Sequence, residues 1–95
     1  MPYIEGERRK WFNSQIDELV KTLDQIRNSE ELSDGYITGD VNYIVYKMIV
    51  DLFRKNMKYK QGSSLHAALI DAAHEFKRRH LDPYEDEAVI KNGDI

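Results

Sequence analysis

Apolar residues in the first third of the chain recur at steps of three and four: Phe12, Ile16, Leu19, Val20, Leu23 and Ile26. That spacing lines one face of an α-helix, and Asp17, Glu18, Lys21 and Gln25 fall on the other side. Asn13 or Ser14 could cap the start, and residues 5–11 could equally extend it backward. The helix should end near Asn28, with Ser33-Asp34-Gly35 marking a turn.

The segment from 40 to 58 presents two signals. Val41, Ile44, Val45, Ile49 and Val50 are β-branched and would suit a strand. The polar positions decide for a helix, because Asp40, Lys47, Asp51, Arg54 and Lys58 follow at steps of seven, four, three and four. Thr38 is the expected cap, which places Asp40 in the first turn where the helix dipole favours an anion. Ten of the thirteen residues 41–53 are apolar or Tyr, so this helix should be covered on most sides as the core of the fold.

Residues 58–62 read as a loop, and Ser63 or Ser64 as the cap of a third helix with Leu65, Ala68, Leu69, Ala72, Ala73 and Phe76 on its inner face. Small alanines let a neighbouring helix come close. The residue before a proline is pushed out of the α region, so this helix should stop at Leu81. Asp82-Pro83-Tyr84-Glu85 then reads as a capping box with Pro at the first helical position. The expected result is a short fourth helix from Pro83 to Lys91, ended by Asn92-Gly93. Together these elements predict an all-α fold: a small bundle of three main helices plus a short C-terminal helix, in a single domain over residues 1–95.

Composition narrows the classes. At 95 residues the chain is expected to bury only about 60–65% of its unfolded surface, so a partner would help it. With 41% hydrophobic and 33% charged residues it is too apolar for disorder, and no apolar run approaches the ~20 residues of a bilayer crossing. Residues 1–10 lack the apolar stretch of a secretion signal. Cys is absent, which excludes disulfides and thiol catalysis. The net charge of −3 is unevenly spread: residues 1–27 are neutral, 28–53 carry −4, 54–80 carry +5 and 81–95 carry −4. Such blocks attract one another within a monomer or between subunits, and they also occur as plain solvated faces.

Candidate chemistry is sparse. Asp71 and His74 stand one helical turn apart, like half of a helical di-metal site, but no second pair completes it. Arg78 occupies the place where a zinc-protease helix starting at His74 would need its second His. No glycine-framed nucleophile and no phosphate-binding glycine loop is present. A metal-dependent nucleotide phosphohydrolase would need converging acids, yet Asp40 and Asp51 stand three turns apart on their helix. We therefore assign no catalytic, cofactor-binding or metal-binding residue. For a nucleic-acid-associated regulator, the basic residues would be Arg54, Lys55, Lys58 and Lys60 where the second helix ends and Lys77, Arg78 and Arg79 where the third ends. Antiparallel packing would set these clusters about 20 Å apart, the second of them beside acids that neutralise it. Six tyrosines, with Trp11 beside Phe12, suit a protein interface or the rim of a core. Three helices cannot cover this much apolar surface, and self-association becomes the leading expectation.

One series of residues resembles a known family. Pro2-Tyr3-Ile4, Gly39-Asp40-Val41-Asn42-Tyr43, Glu75-Phe76-Lys77-Arg78-Arg79, Pro83-Tyr84-Glu85-Asp86 and Asn92-Gly93-Asp94 are similar to a family of small proteins of unassigned function. These are encoded mainly in tailed phages, prophages and some microbial genomes. The chain departs from the pattern at Lys77, where an aromatic residue is expected, and in its Ala-rich third helix. The resemblance implies a microbial or viral cytoplasmic setting and carries no activity. Its polar signature of Asp40, Asn42, Arg78, Arg79, Glu85, Asp86 and Asp94 should converge at one end of the bundle. There it would form either a small anionic-ligand site around Arg78 and Arg79 or a network of caps and ion pairs. The function expected is that of a non-catalytic accessory or interaction protein of phage or prophage type, homo-oligomeric and without cofactor or membrane. A nucleic-acid regulator is the alternative.

Overall fold

The computed structural model describes residues 3–29 and 36–93, and every regular element among them is helical. Four α-helices follow in order: α1 (Gly6–Arg27), α2 (Thr38–Phe53), α3 (Tyr59–Phe76) and α4 (Asp82–Asn92). A π-helical turn, Lys77–Leu81, joins α3 to α4 without a break, so residues 59–92 run as one helix. The fold class is all-α. The chain divides into two compact units, Pro2–Lys55 and Asn56–Ile95. The expected turn at Ser33-Asp34-Gly35 lies outside the described residues.

In the first unit, α1 takes the longer of its two expected starts. Glu5 precedes it in extended conformation, and the Arg9 amide donates to the Glu5 carbonyl at 3.1 Å. Asn28 ends the helix, and the Ser29 hydroxyl donates to the Ile26 carbonyl at 2.7 Å. The β-branched segment is helical, as its polar stripe required. Lys47 and Asp51, one turn apart on that stripe, pair at 3.0 Å. Two details differ from expectation. Thr38 is the first helical residue and not the cap, with Ile37 before it and no side chain bonding the free amides. The helix also ends at Phe53 and not at Lys58, because Asn56 turns to φ 64°, a left-handed conformation that Asn tolerates better than most residues. The expected covering of α2 is absent. Ile44, Val45, Ile49 and Val50 are half-buried, whereas Val41, Met48, Leu52 and Phe53 are exposed. A helix that is apolar around its circumference needs neighbours on several sides to be enclosed.

In the second unit, the expected loop at 58–62 is the opening turn of α3. Lys58 is extended, and its amide donates to Gln61 Oε1 at 2.9 Å, so the cap comes from a glutamine inside the helix and not from a serine. Ser64 is already helical and donates to the Lys60 carbonyl at 3.0 Å. The expected stop at Leu81 is also corrected. In an α-helix, Pro83 would lose the hydrogen bond to the Arg79 carbonyl and press its ring against it. The π turn just before Pro83 widens the helix by one residue, and the Asp82 amide donates to the Lys77 carbonyl five residues back. With no free amides at Asp82, the predicted capping box has nothing to cap, and no side-chain cap forms. The C-terminal stop is as expected: Gly93 adopts φ 85°, which glycine enters without the penalty of a Cβ.

Candidate functional site

The most structured group of charges in the second unit surrounds the π turn. Glu75, near the end of α3, sits three and four residues before Arg78 and Arg79, and so shares their face of the helix. Its carboxylate accepts from Arg78 Nη2 at 2.9 and 3.0 Å and from Arg79 Nε at 2.7 Å. The Glu75 side chain is the least exposed of the three, at 25% against 64% and 57% for the two arginines. One half-sheltered acid therefore holds two cations. Lys77 reaches the other way, to Asp82 Oδ1 at 2.8 Å. Five residues apart would put this pair on different faces of an α-helix; the wider π turn brings them together. The hydrogen bond from Asp82, and then its charge, raise the Lys77 pKa above its ordinary value, with a further contribution from Glu85. Phe76 and His80 set their rings obliquely at 5.9 Å between centroids, across the start of the π turn. Glu85 and Asp86 are exposed on α4.

Two further members of the predicted cluster, Asp40 and Asn42, stand in the first unit. Asp40 is half-buried in the first turn of α2. It borders a groove of about 430 Å³ that α1 and α2 share, lined mainly by Leu19, Leu23, Ile26, Tyr43 and Ile44. Asn42 is exposed. Asp94 lies outside the described residues. Arg78, Arg79, Glu85 and Asp86 thus belong to one unit, Asp40 and Asn42 to the other. Within the second unit, Arg78 and Arg79 are engaged by a residue that the predicted cluster omits. Glu75 was findable from its spacing alone, three and four positions ahead of two arginines. The Lys77–Asp82 pair was not, because a helical wheel of constant pitch separates them.

Among the described residues no three acidic or imidazole side chains come close enough to share a metal ion, and no helix is long and apolar enough to cross a membrane. What the surface offers instead is apolar. No described side chain is buried, and Trp11, Phe12, Phe53, Phe76 and several tyrosines are exposed. Trp11 lies against Phe12 at 6.4 Å between ring centroids, with the Arg8 guanidinium 5.6 Å from the indole. This arrangement suits contact chemistry: aromatic and aliphatic anchors with few polar groups aimed at a common point. No curated protein and no solved structure matches the chain. A family model covers it completely, over residues 1–95, and the chain belongs to that family, described as a domain of unknown function, DUF6899.

Proposed function

We propose that this protein works by contact and not by turnover, as a homo-oligomeric helical accessory or interaction protein of phage or prophage type, acting in the cytoplasm. One observation carries the reading. Every helix has exposed apolar side chains, and no described residue is buried. Ordering a residue costs about 1–2 kcal/mol of conformational entropy, which a helical protein offsets mainly by removing apolar area from water at about 25 cal/mol per Å². A single helix such as 59–92, taken by itself, has no interior in which to do so. Further copies of the chain supply one.

The acids beside these cations, Glu75 at Arg78 and Arg79 and Asp82 at Lys77, repel a phosphate's negative charge, which favours this reading over phosphate binding. The phage or prophage setting rests on the sequence signature at Gly39-Asp40-Val41-Asn42-Tyr43 and Glu75-Phe76-Lys77-Arg78-Arg79. Light scattering at micromolar concentration tests the proposal. A particle of two or more chains is expected, and a folded, strictly monomeric particle overturns it.

A further inference from the structure

The long helix 59–92 bears an apolar stripe that crosses the π turn. Leu69, Ala72, Ala73 and Phe76 stand on it at helical steps, and the Phe76 and His80 rings lie 5.9 Å apart, so the two share a side across the start of the π turn. Leu81, Tyr84 and Ala88 extend it on the far side. Phe76, Leu81 and Tyr84 are exposed at 57%, 43% and 72%. Beyond them α4 has a shallow depression of about 250 Å³ lined by Tyr84, Glu87, Ala88, Lys91 and Asn92. The charges along the same helix are segregated. Lys77, Arg78 and Arg79 form a basic block immediately before the π turn's end, and Asp82, Glu85, Asp86 and Glu87 form an acidic block immediately after it.

We infer that this stripe is the surface through which two copies of the chain pair, antiparallel, with the two-fold axis at the π turn near Leu81. The inference rests on the self-association reading above and names its surface. Charge complementarity selects the occupant and its direction. Parallel, in-register pairing would set basic block on basic block and acidic on acidic, an arrangement that like charges oppose. Antiparallel pairing about Leu81 sets Lys77–Arg79 of one copy against the acids of the other, in both halves at once, as an isologous contact requires. The same register brings Ala73 opposite Ala88, where small residues let the helices approach. It brings Leu69 to the depression beside Lys91. The shared length, residues 69–92, spans about 36 Å of helix.

The chain has no cysteine, so introduced ones report the pairing directly. A disulfide needs Cα atoms within about 7 Å, which a residue on the axis satisfies with its own copy. Leu81→Cys is expected to give a covalent dimer on mild oxidation, and His80→Cys reads the same axis should the first variant fail to fold. Leu69→Cys and Asn92→Cys are each expected to stay uncross-linked alone and to link when mixed. An associated particle in which Leu69→Cys links to itself, or in which neither axis variant links, overturns the antiparallel surface and leaves self-association standing. A monomer by light scattering removes both.

Discussion

α2 and the long helix 59–92 are both helical and both exposed, yet their sequences distribute apolar residues differently. In α2 only Asn42, Lys47 and Asp51 interrupt residues 41–53, and apolar side chains cover all of the helix except the narrow side that Lys47 and Asp51 share. The long helix keeps one stripe and gives the remaining surface to Asp71, His74, Glu75, Arg78 and the acids of α4. A helix of the first kind is stable only when enclosed, whereas one of the second kind needs a single neighbour. On the proposed reading the difference gives the two units separate tasks: α2 is the element to be surrounded, and the long helix is the element to be paired.

Breaking α2 should therefore cost the most. Ile49→Asp puts a carboxylate on its most apolar flank. If α2 is enclosed in the assembled protein, the variant loses about 3 kcal/mol or more, since a buried unpaired charge is that expensive. Helical circular dichroism and light scattering should then show an unfolded or dissociated chain at concentrations where the parent is associated. Unchanged melting and mass would mean that α2 stays in water. Next in size, Phe76→Ala removes the largest anchor of the proposed pairing stripe while leaving helix propensity intact or improved. The expected result is a ten- to hundredfold weaker self-association, on the order of 1.5–3 kcal/mol, with little loss of helicity. Sedimentation over a dilution series measures it. The contrast between the two variants sharpens the comparison: Ile49 should govern folding, and Phe76 assembly.

The two regions were not equally legible in the sequence. For α2 the polar minority was decisive, because Asp40, Lys47 and Asp51 can share a side only in a helix, whatever Val41, Ile44 and Val45 prefer. The long helix was divided in the wrong places for physical reasons that can be named. Ser63 and Ser64 looked like caps, but Gln61 satisfied the Lys58 amide from within the first turn and the helix began earlier. Pro83 looked like a start, because Pro at a first helical position is common, and it also looked like a stop for what preceded it. A π turn lets the backbone pass a proline without ending, and nothing in local propensity announces that solution. The predicted polar cluster was legible as a set of charges. Its pairing was less so, since Glu75 takes both arginines and the Lys77–Asp82 pair depends on the altered pitch.

That altered pitch gives a third, smaller effect. Pro83→Ala restores the missing amide and removes the ring that would clash with the Arg79 carbonyl in an α-helix, so the π turn should relax to α-helix. The helix itself should become more resistant to melting. The Lys77–Asp82 pair should open as the two residues rotate apart, and the stripe beyond Phe76 should turn away from its line. Helicity is thus expected to rise while self-association weakens, a divergence that neither a merely helix-breaking nor a merely structural proline would produce. Circular dichroism and sedimentation on the same sample separate the two.

The smallest expected effect is electrostatic and distinguishes the π turn from α2 only weakly. Lys77 has its pKa raised by the hydrogen bond and charge of Asp82, and Lys47 has its pKa raised in the same way by Asp51. A lysine whose folded pKa lies above its unfolded value of 10.5 binds its proton more firmly in the folded state. Its contribution to stability is therefore complete below that unfolded value and disappears as the pH rises through the higher folded one. Both side chains are well exposed, so the effect is small and salt weakens it. Melts recorded on either side of pH 10.5 should show the parent losing slightly more stability on the alkaline side than Lys77→Met does. Pro83→Ala should behave like Lys77→Met, because it separates the same pair, whereas Lys47→Met should leave the difference at the π turn untouched. Equal alkaline losses in the parent, Lys77→Met and Pro83→Ala would show that the contact across the π turn contributes nothing in solution.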